Sequence, residues 1–128
     1  MKKQKDQIPQ LPKYELVGGA AETIITPDTE GTFLIGPMRP STGVNDALWA
    51  RALVLSDGIN QIAILTLDCL GFDFAYNDIL IQAVSESSNI PTENIMINCS
   101  HTHSAPITIP WGPWDKEKDK PFHRFLPE

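Results

Sequence analysis

Between Ala50 and Cys99 the hydrophobic period switches from that of a strand to that of a helix and back. This switch constrains the fold more than any other feature of the chain. Ala50-Arg51-Ala52-Leu53-Val54-Leu55 and Gln61-Ile62-Ala63-Ile64-Leu65-Thr66-Leu67 are strand-like runs. Ser56-Asp57-Gly58-Ile59-Asn60 separates them, and Asp57-Gly58 is a favoured tight-turn pair because both residues tolerate positive φ. An antiparallel hairpin is expected. Its second run is nearly continuous apolar, as in a strand covered on both faces. After Asp68-Cys69-Leu70-Gly71, the residues Phe72, Ala75, Tyr76, Ile79, Leu80, Ala83 and Val84 recur at helical spacing. They predict an amphipathic helix from about Asp73 to Ser87, with Asp73 as N-cap and Asn89 and Pro91 ending it. Asn94 to Cys99 is a strand again. Strand, helix and strand over this length make a βαβ unit, right-handed and with parallel strands. The fold class is therefore α/β, a mixed sheet in which a β-hairpin is followed by a βαβ unit.

The flanks are less regular. Residues 1–14 read as a charged, flexible lead. Leu16-Val17-Gly18-Gly19-Ala20-Ala21 runs into Glu22-Thr23-Ile24-Ile25-Thr26-Pro27, where the β-branched residues Thr23 to Thr26 favour a strand that Pro27 ends. Asp28 to Asn45 reads as a long surface loop with a short apolar patch at Phe33-Leu34-Ile35. Residues 15–106 thus form the structured part. Residues 107–128 carry no strand or helix period, and the stretch from Pro106 to Pro127 holds five of the chain's 11 prolines. Such a tail, with nothing after it to pack against, reads as a truncated loop.

Composition narrows the function classes. At 128 residues the chain is one domain at most, and its 41% hydrophobic and 20% charged content suits a globular protein. A net charge of −6 with no basic stripe beyond Met1–Lys5 argues against nucleic acid as a partner. The lead lacks the apolar run of a signal peptide, and no stretch approaches the roughly 18 apolar residues of a membrane span. The expected location, for the chain as written, is cytoplasmic. Two cysteines, Cys69 and Cys99, each follow an apolar run and read as buried free thiols.

The chemistry-bearing stretch is Asn98-Cys99-Ser100-His101-Thr102-His103-Ser104-Ala105-Pro106. In an extended backbone residues i and i+2 share a face, so His101 and His103 should project side by side. Paired imidazoles suit a zinc ion, or one ligand and one proton-transfer group. Ligands of open α/β sheets sit beyond the carboxyl ends of parallel strands. Asp68 ends one such strand and His101 and His103 follow the other, so a carboxylate and two imidazoles are expected to converge at one rim. Asp68 reads equally well as a turn or capping aspartate.

With these residues in view, the chain resembles the amino-terminal part of the neutral/alkaline non-lysosomal ceramidase family. Four stretches carry the likeness: Glu22-Thr23-Ile24-Ile25-Thr26-Pro27, Gly43 to Leu55, Leu65-Thr66-Leu67-Asp68, and Asn94 to Pro106 with its His-Thr-His-Ser-Ala-Pro. The resemblance implies a zinc-dependent hydrolase that cleaves the amide of ceramide or a related N-acyl lipid. By resemblance, His101 matches the zinc ligand and His103 the catalytic histidine at the reacting centre. Zinc lowers the pKa of its water to about 7 and polarises the amide carbonyl.

The family site also draws a second histidine, a glutamate and a tyrosine from later sequence. His123 matches none of these, and Asn45 stands where many relatives carry histidine. The chain is thus expected to be an incomplete part of a larger catalytic domain, completed by a carboxy-terminal part or by self-association. Many relatives are secreted. One alternative is a non-catalytic binding module in which Trp111, Trp114, Phe122 and Phe125 meet a partner. Another is a different metal-dependent hydrolase, although Ala105 stands where a His-x-His-x-Asp site would carry aspartate.

Overall fold

The computed structural model describes residues 15–28, 33–34 and 39–109. Strands β1 (Val17–Ile24), β4 (Trp49–Ser56), β5 (Gln61–Leu67) and β6 (Ile95–Cys99) form one sheet in the order β1-β4-β5-β6. A second, two-stranded sheet pairs β2 (Phe33–Leu34) with β3 (Arg39–Pro40). Helix α1 (Phe74–Ser88) and a short 3-10 turn (Thr92–Asn94) join β5 to β6.

The hairpin forms as its alternation predicts, antiparallel from Ala50↔Leu67 to Ser56↔Gln61. Its turn differs from the expected pair of positive-φ residues. Gly58 alone adopts the left-handed region, at φ 88°, while the Asp57 carboxylate accepts the N–H groups of Ile59 (2.9 Å) and Asn60 (2.7 Å). Asp57 thus closes the turn through its side chain.

β5 and β6 run parallel, Ala63↔Ile95 through Leu67↔Cys99, with α1 as the crossover. Both helix ends are capped by the residues that sequence chemistry indicates. The Asp73 carboxylate accepts the Tyr76 N–H at 2.9 Å, and Asn89 takes the left-handed C-cap at φ 60°.

The helix is rotated from the stripe its spacing suggests. Tyr76, Asn77, Leu80, Ile81, Val84 and Ser85 are half-buried, while Ala75, Ile79 and Ala83 are exposed. Ile81 and Val84 pack on the buried cluster of Ala63, Ile90 and Ile95, with Val54, Leu65 and Ile97 around it. Contact with the β5–β6 pair chooses the face, and Ile81 outcompetes Ile79.

β1 also departs from expectation. It spans Val17–Ile24, earlier than Thr23–Thr26, because eight residues pair in register with β4, from Val17↔Ser56 to Ile24↔Trp49. A Cβ added at Gly18 would stand 3.0 Å from Leu55 Cδ2, so the small residue admits the neighbouring side chain. Pairing overrides the low strand propensity of Gly and Ala.

α1 covers one face of the sheet only. On the other, Leu53, Ile62 and Met96 are 39%, 42% and 54% exposed, and nothing among the described residues lies over them. The two-faced cover expected for β5 is therefore partial among those residues, with Ile62 exposed and Ile64 half-buried on this face. A second small cluster, Leu70 with Ile107 and Ile109, lies beyond the strand ends. Ile107 and Thr108 are buried, and Leu34 bridges to Pro106, so the packed body runs past Pro106 to these residues.

Candidate functional site

The parallel register brings the ends of β5 and β6 level, Leu67 beside Cys99. The Leu67 carbonyl then accepts two backbone N–H groups, from Cys69 and from Ser100, both at 3.0 Å. This one oxygen ties together the two loops that leave the strands. Below them, Thr108 Oγ1 donates to the Gly71 carbonyl at 2.7 Å, and Ile107 packs on Leu70. The loop bearing the histidines is thereby held at both of its ends.

His101 leaves β6 with φ 59°, in the left-handed region, rather than in the extended backbone that the spacing suggests. A non-glycine residue adopts this conformation only when its surroundings specify it. Here the specification is a hydrogen bond between ring Nδ1 and the Leu70 carbonyl at 2.9 Å. A carbonyl only accepts, so Nδ1 carries a proton, and Nε2 is the ring nitrogen left to act as a ligand.

The His103 ring lies edge-on to that of His101, with centroids 5.2 Å apart and planes at 79°. The two imidazoles are thus side by side, by a turned backbone in place of a pleated one. Both residues are exposed.

Asp68 does not join them. Its Oδ2 accepts the Trp49 N–H at 2.9 Å and stands 3.7 Å from Arg51 Nη1. Arg51 in turn donates to Glu22 at 3.1 Å and lies over the Trp49 ring, 5.4 Å from its centroid. Asp68 therefore terminates the β4–β5 ladder and anchors a surface charge network. Among the described residues no three His, Cys, Asp or Glu side chains come close enough to share a metal ion. The expected convergence of a carboxylate with both imidazoles fails because the Asp68 side chain turns back to the β4 backbone.

Asp68 instead lines a cavity of about 590 Å³, together with Thr26, Asn45, Asp46, Thr102 and Ser104 among others. His101 and His103 do not line it. Within the His-Thr-His-Ser run the alternate residues Thr102 and Ser104 thus face this hollow, while the histidines face each other. Sequence reading of the histidines alone passes over the hydroxyls. The i, i+2 spacing of Thr102 and Ser104 is the signal that could have found them.

The two thiols are free as expected; Cys69 is buried and Cys99 half-buried. Cys69 Sγ lies 3.4 Å from Cys99 Sγ. Burial, reinforced by the neighbouring Cys99, pushes the Cys69 thiol up to about 12. His123 and the aromatic residues Trp111, Trp114, Phe122 and Phe125 lie outside the described residues.

Solved structures share this architecture. A ceramidase complexed with C2 superposes with a TM-score of 0.62 at 20% sequence identity, covering 75% of this chain and 16% of that one. Neutral ceramidase from Pseudomonas aeruginosa gives a TM-score of 0.61, again at 20% identity and with 75% and 16% covered. The chain therefore has the mixed-sheet fold of a part of these enzymes and spans 16% of their length. No family model matches it, and no curated protein matches it by sequence.

Proposed function

We propose that this chain contributes one corner of the active site of a ceramidase-like amide hydrolase. In this reading His101 is a zinc ligand and His103 the catalytic group that meets the reacting amide. The observation that carries it is the Leu70 carbonyl on His101 Nδ1, which leaves Nε2 as the ring nitrogen that can take a metal. Metal-bound histidines are usually held in this way, with the far ring nitrogen on a carbonyl or carboxylate. The likeness in fold to part of two ceramidase structures supports the same reading.

The residues fit one corner of a zinc site and no more. Catalytic zinc takes three protein ligands and a water. Among the described residues His101 and His103 are the two histidines that lie together, and no third His, Cys, Asp or Glu joins them closely enough to share a metal ion. The remaining donors must come from sequence outside this body or from another chain. Bound zinc would supply an acidified water and a polarised carbonyl. The chain's own residues do the rest. Leu70 fixes the His101 tautomer, and the exposed His103 ring, beside His101, is free to hold or pass a proton. A substrate of N-acyl lipid type fits this chemistry, because its amide needs both services.

Zinc alone is the first probe, titrated calorimetrically into the 128-residue protein, wild type and His101→Ala. The expected result is weak binding that falls at least tenfold in the variant, with no ceramide turnover by the chain by itself. Zinc affinity unchanged by both His101→Ala and His103→Ala would overturn the assignment. Ceramide turnover lost in His101→Ala would overturn its incompleteness. The uncovered sheet face favours a second reading, a binding module without catalysis, and the unchanged-affinity result would select it.

A further inference from the structure

We propose that Cys69 and Cys99 form a peroxide-sensitive dithiol that closes to a disulfide at the level ends of β5 and β6, where the histidine loop departs. The geometry is specific. Cys99 is the last residue of β6 and Cys69 lies two residues past the end of β5, on strands that run parallel and end level. Their sulfurs stand 3.4 Å apart, and both thiols are free. They are the chain's two cysteines, so an intramolecular bridge has one possible connectivity.

A disulfide needs its sulfurs about 2.05 Å apart, so the pair must close by roughly 1.3–1.4 Å. Cys69 lies in the bend that follows β5, outside any ladder, so the adjustment falls on the bend and on the side-chain torsions of the pair. Two cysteines serving only as small apolar filler have no need to meet. Here they meet, and with unequal access: Cys69 is 4% exposed, whereas Cys99 is half-buried. That asymmetry assigns an order of events, the accessible sulfur reacting first and the buried one resolving it.

The oxidant is a hydroperoxide. The Cys99 sulfur attacks the O–O bond; an S–O bond forms, the O–O bond breaks, and water or an alcohol leaves. The Cys69 sulfur then attacks the Cys99 sulfenic acid; the S–S bond forms, the S–O bond breaks, and a water leaves. The two sulfurs surrender two electrons to the peroxide, and both thiol hydrogens depart in the leaving molecules.

The bridge also touches the candidate site. Leu70 follows Cys69 directly, and its carbonyl holds the His101 ring. Drawing Cys69 toward β6 shifts that carbonyl relative to Nδ1, so oxidation is read out at His101. This step depends on the observed hydrogen bond and stands whether or not His101 binds zinc.

The test uses the 128-residue protein treated with hydrogen peroxide, followed by thiol counting after denaturation and a non-reducing peptide map. Both thiols should vanish together with loss of two hydrogens from a monomeric chain, and a reducing thiol should restore them. The same bridge should form about tenfold more slowly in urea, where the fold no longer holds the sulfurs together. In Cys69→Ser, a sulfenic-acid trap should label Cys99. Cys69→Ala provides the same readout should the serine disturb the core. Persistence of both thiols, purely intermolecular bridging, or equal rates in urea would overturn the proposal. Unmoved His101 imidazole resonances in the oxidised protein would overturn its link to the site.

Discussion

Asp57 closes the β4–β5 turn by accepting backbone N–H groups from Asn60 and Ile59, and the amide of Asn60 adds a third contact. These bonds, that to the Asn60 backbone foremost, hold its carboxyl below the usual carboxylate range. A depressed carboxyl stabilises the fold at pH above its unfolded pKa, and the contribution is lost as pH falls through the folded value. Urea midpoints should therefore decline below about pH 4, and Asp57→Asn should flatten that decline. An acid limb of the same slope in the variant would contradict this role. At the same scale, the caps at Asp73 and Asn89 are legible from sequence because each acts on its own helix terminus. The left-handed His101 is not, because it depends on the carbonyl of Leu70, 31 positions earlier. Asp68 carries two readings from sequence; in the structure its Oδ2 accepts the Trp49 N–H while the residue lines the same cavity as Thr102 and Ser104.

Ile90 shows how the elements hold together. It follows the helix C-cap, is 2% exposed, and sits with Ala63 and Ile95 beneath Ile81 and Val84. Truncation there removes the wedge between α1 and the β5–β6 pair, so Ile90→Ala should cost about 2–4 kcal/mol in urea unfolding. A loss below about 1 kcal/mol would mean that the helix recloses over the gap. The hairpin, the crossover helix and the parallel strand are all legible from period and caps, since each rests on local sequence. β1 is not, because its Gly-Ala run becomes a strand only through pairing with β4. The face of α1 escapes sequence for the same reason, since Ile79 and Ile81 differ only in what lies opposite them.

Taken whole, the described body is a sheet clothed on one side. Leu53, Ile62 and Met96 line the bare side beside the ion pair of Glu22 and Arg51. Monomeric proteins seldom leave a contiguous apolar patch of this kind open. The native chain should therefore enhance the fluorescence of a hydrophobic dye, and Leu53→Lys with Met96→Lys should remove more than half of that signal. Dye binding that the double variant leaves intact would place the apolar surface elsewhere.

β5 belongs to two kinds of pairing, and this sets a timetable. Its antiparallel bonds to β4 close across the short turn after Ser56 and can form within microseconds. Its parallel bonds to β6 must wait until α1 has wound and turned back, a closure of much longer range. The imidazole pair rides on the end of β6, so its placement waits on a closure of 32 positions, against the few that separate the hairpin strands.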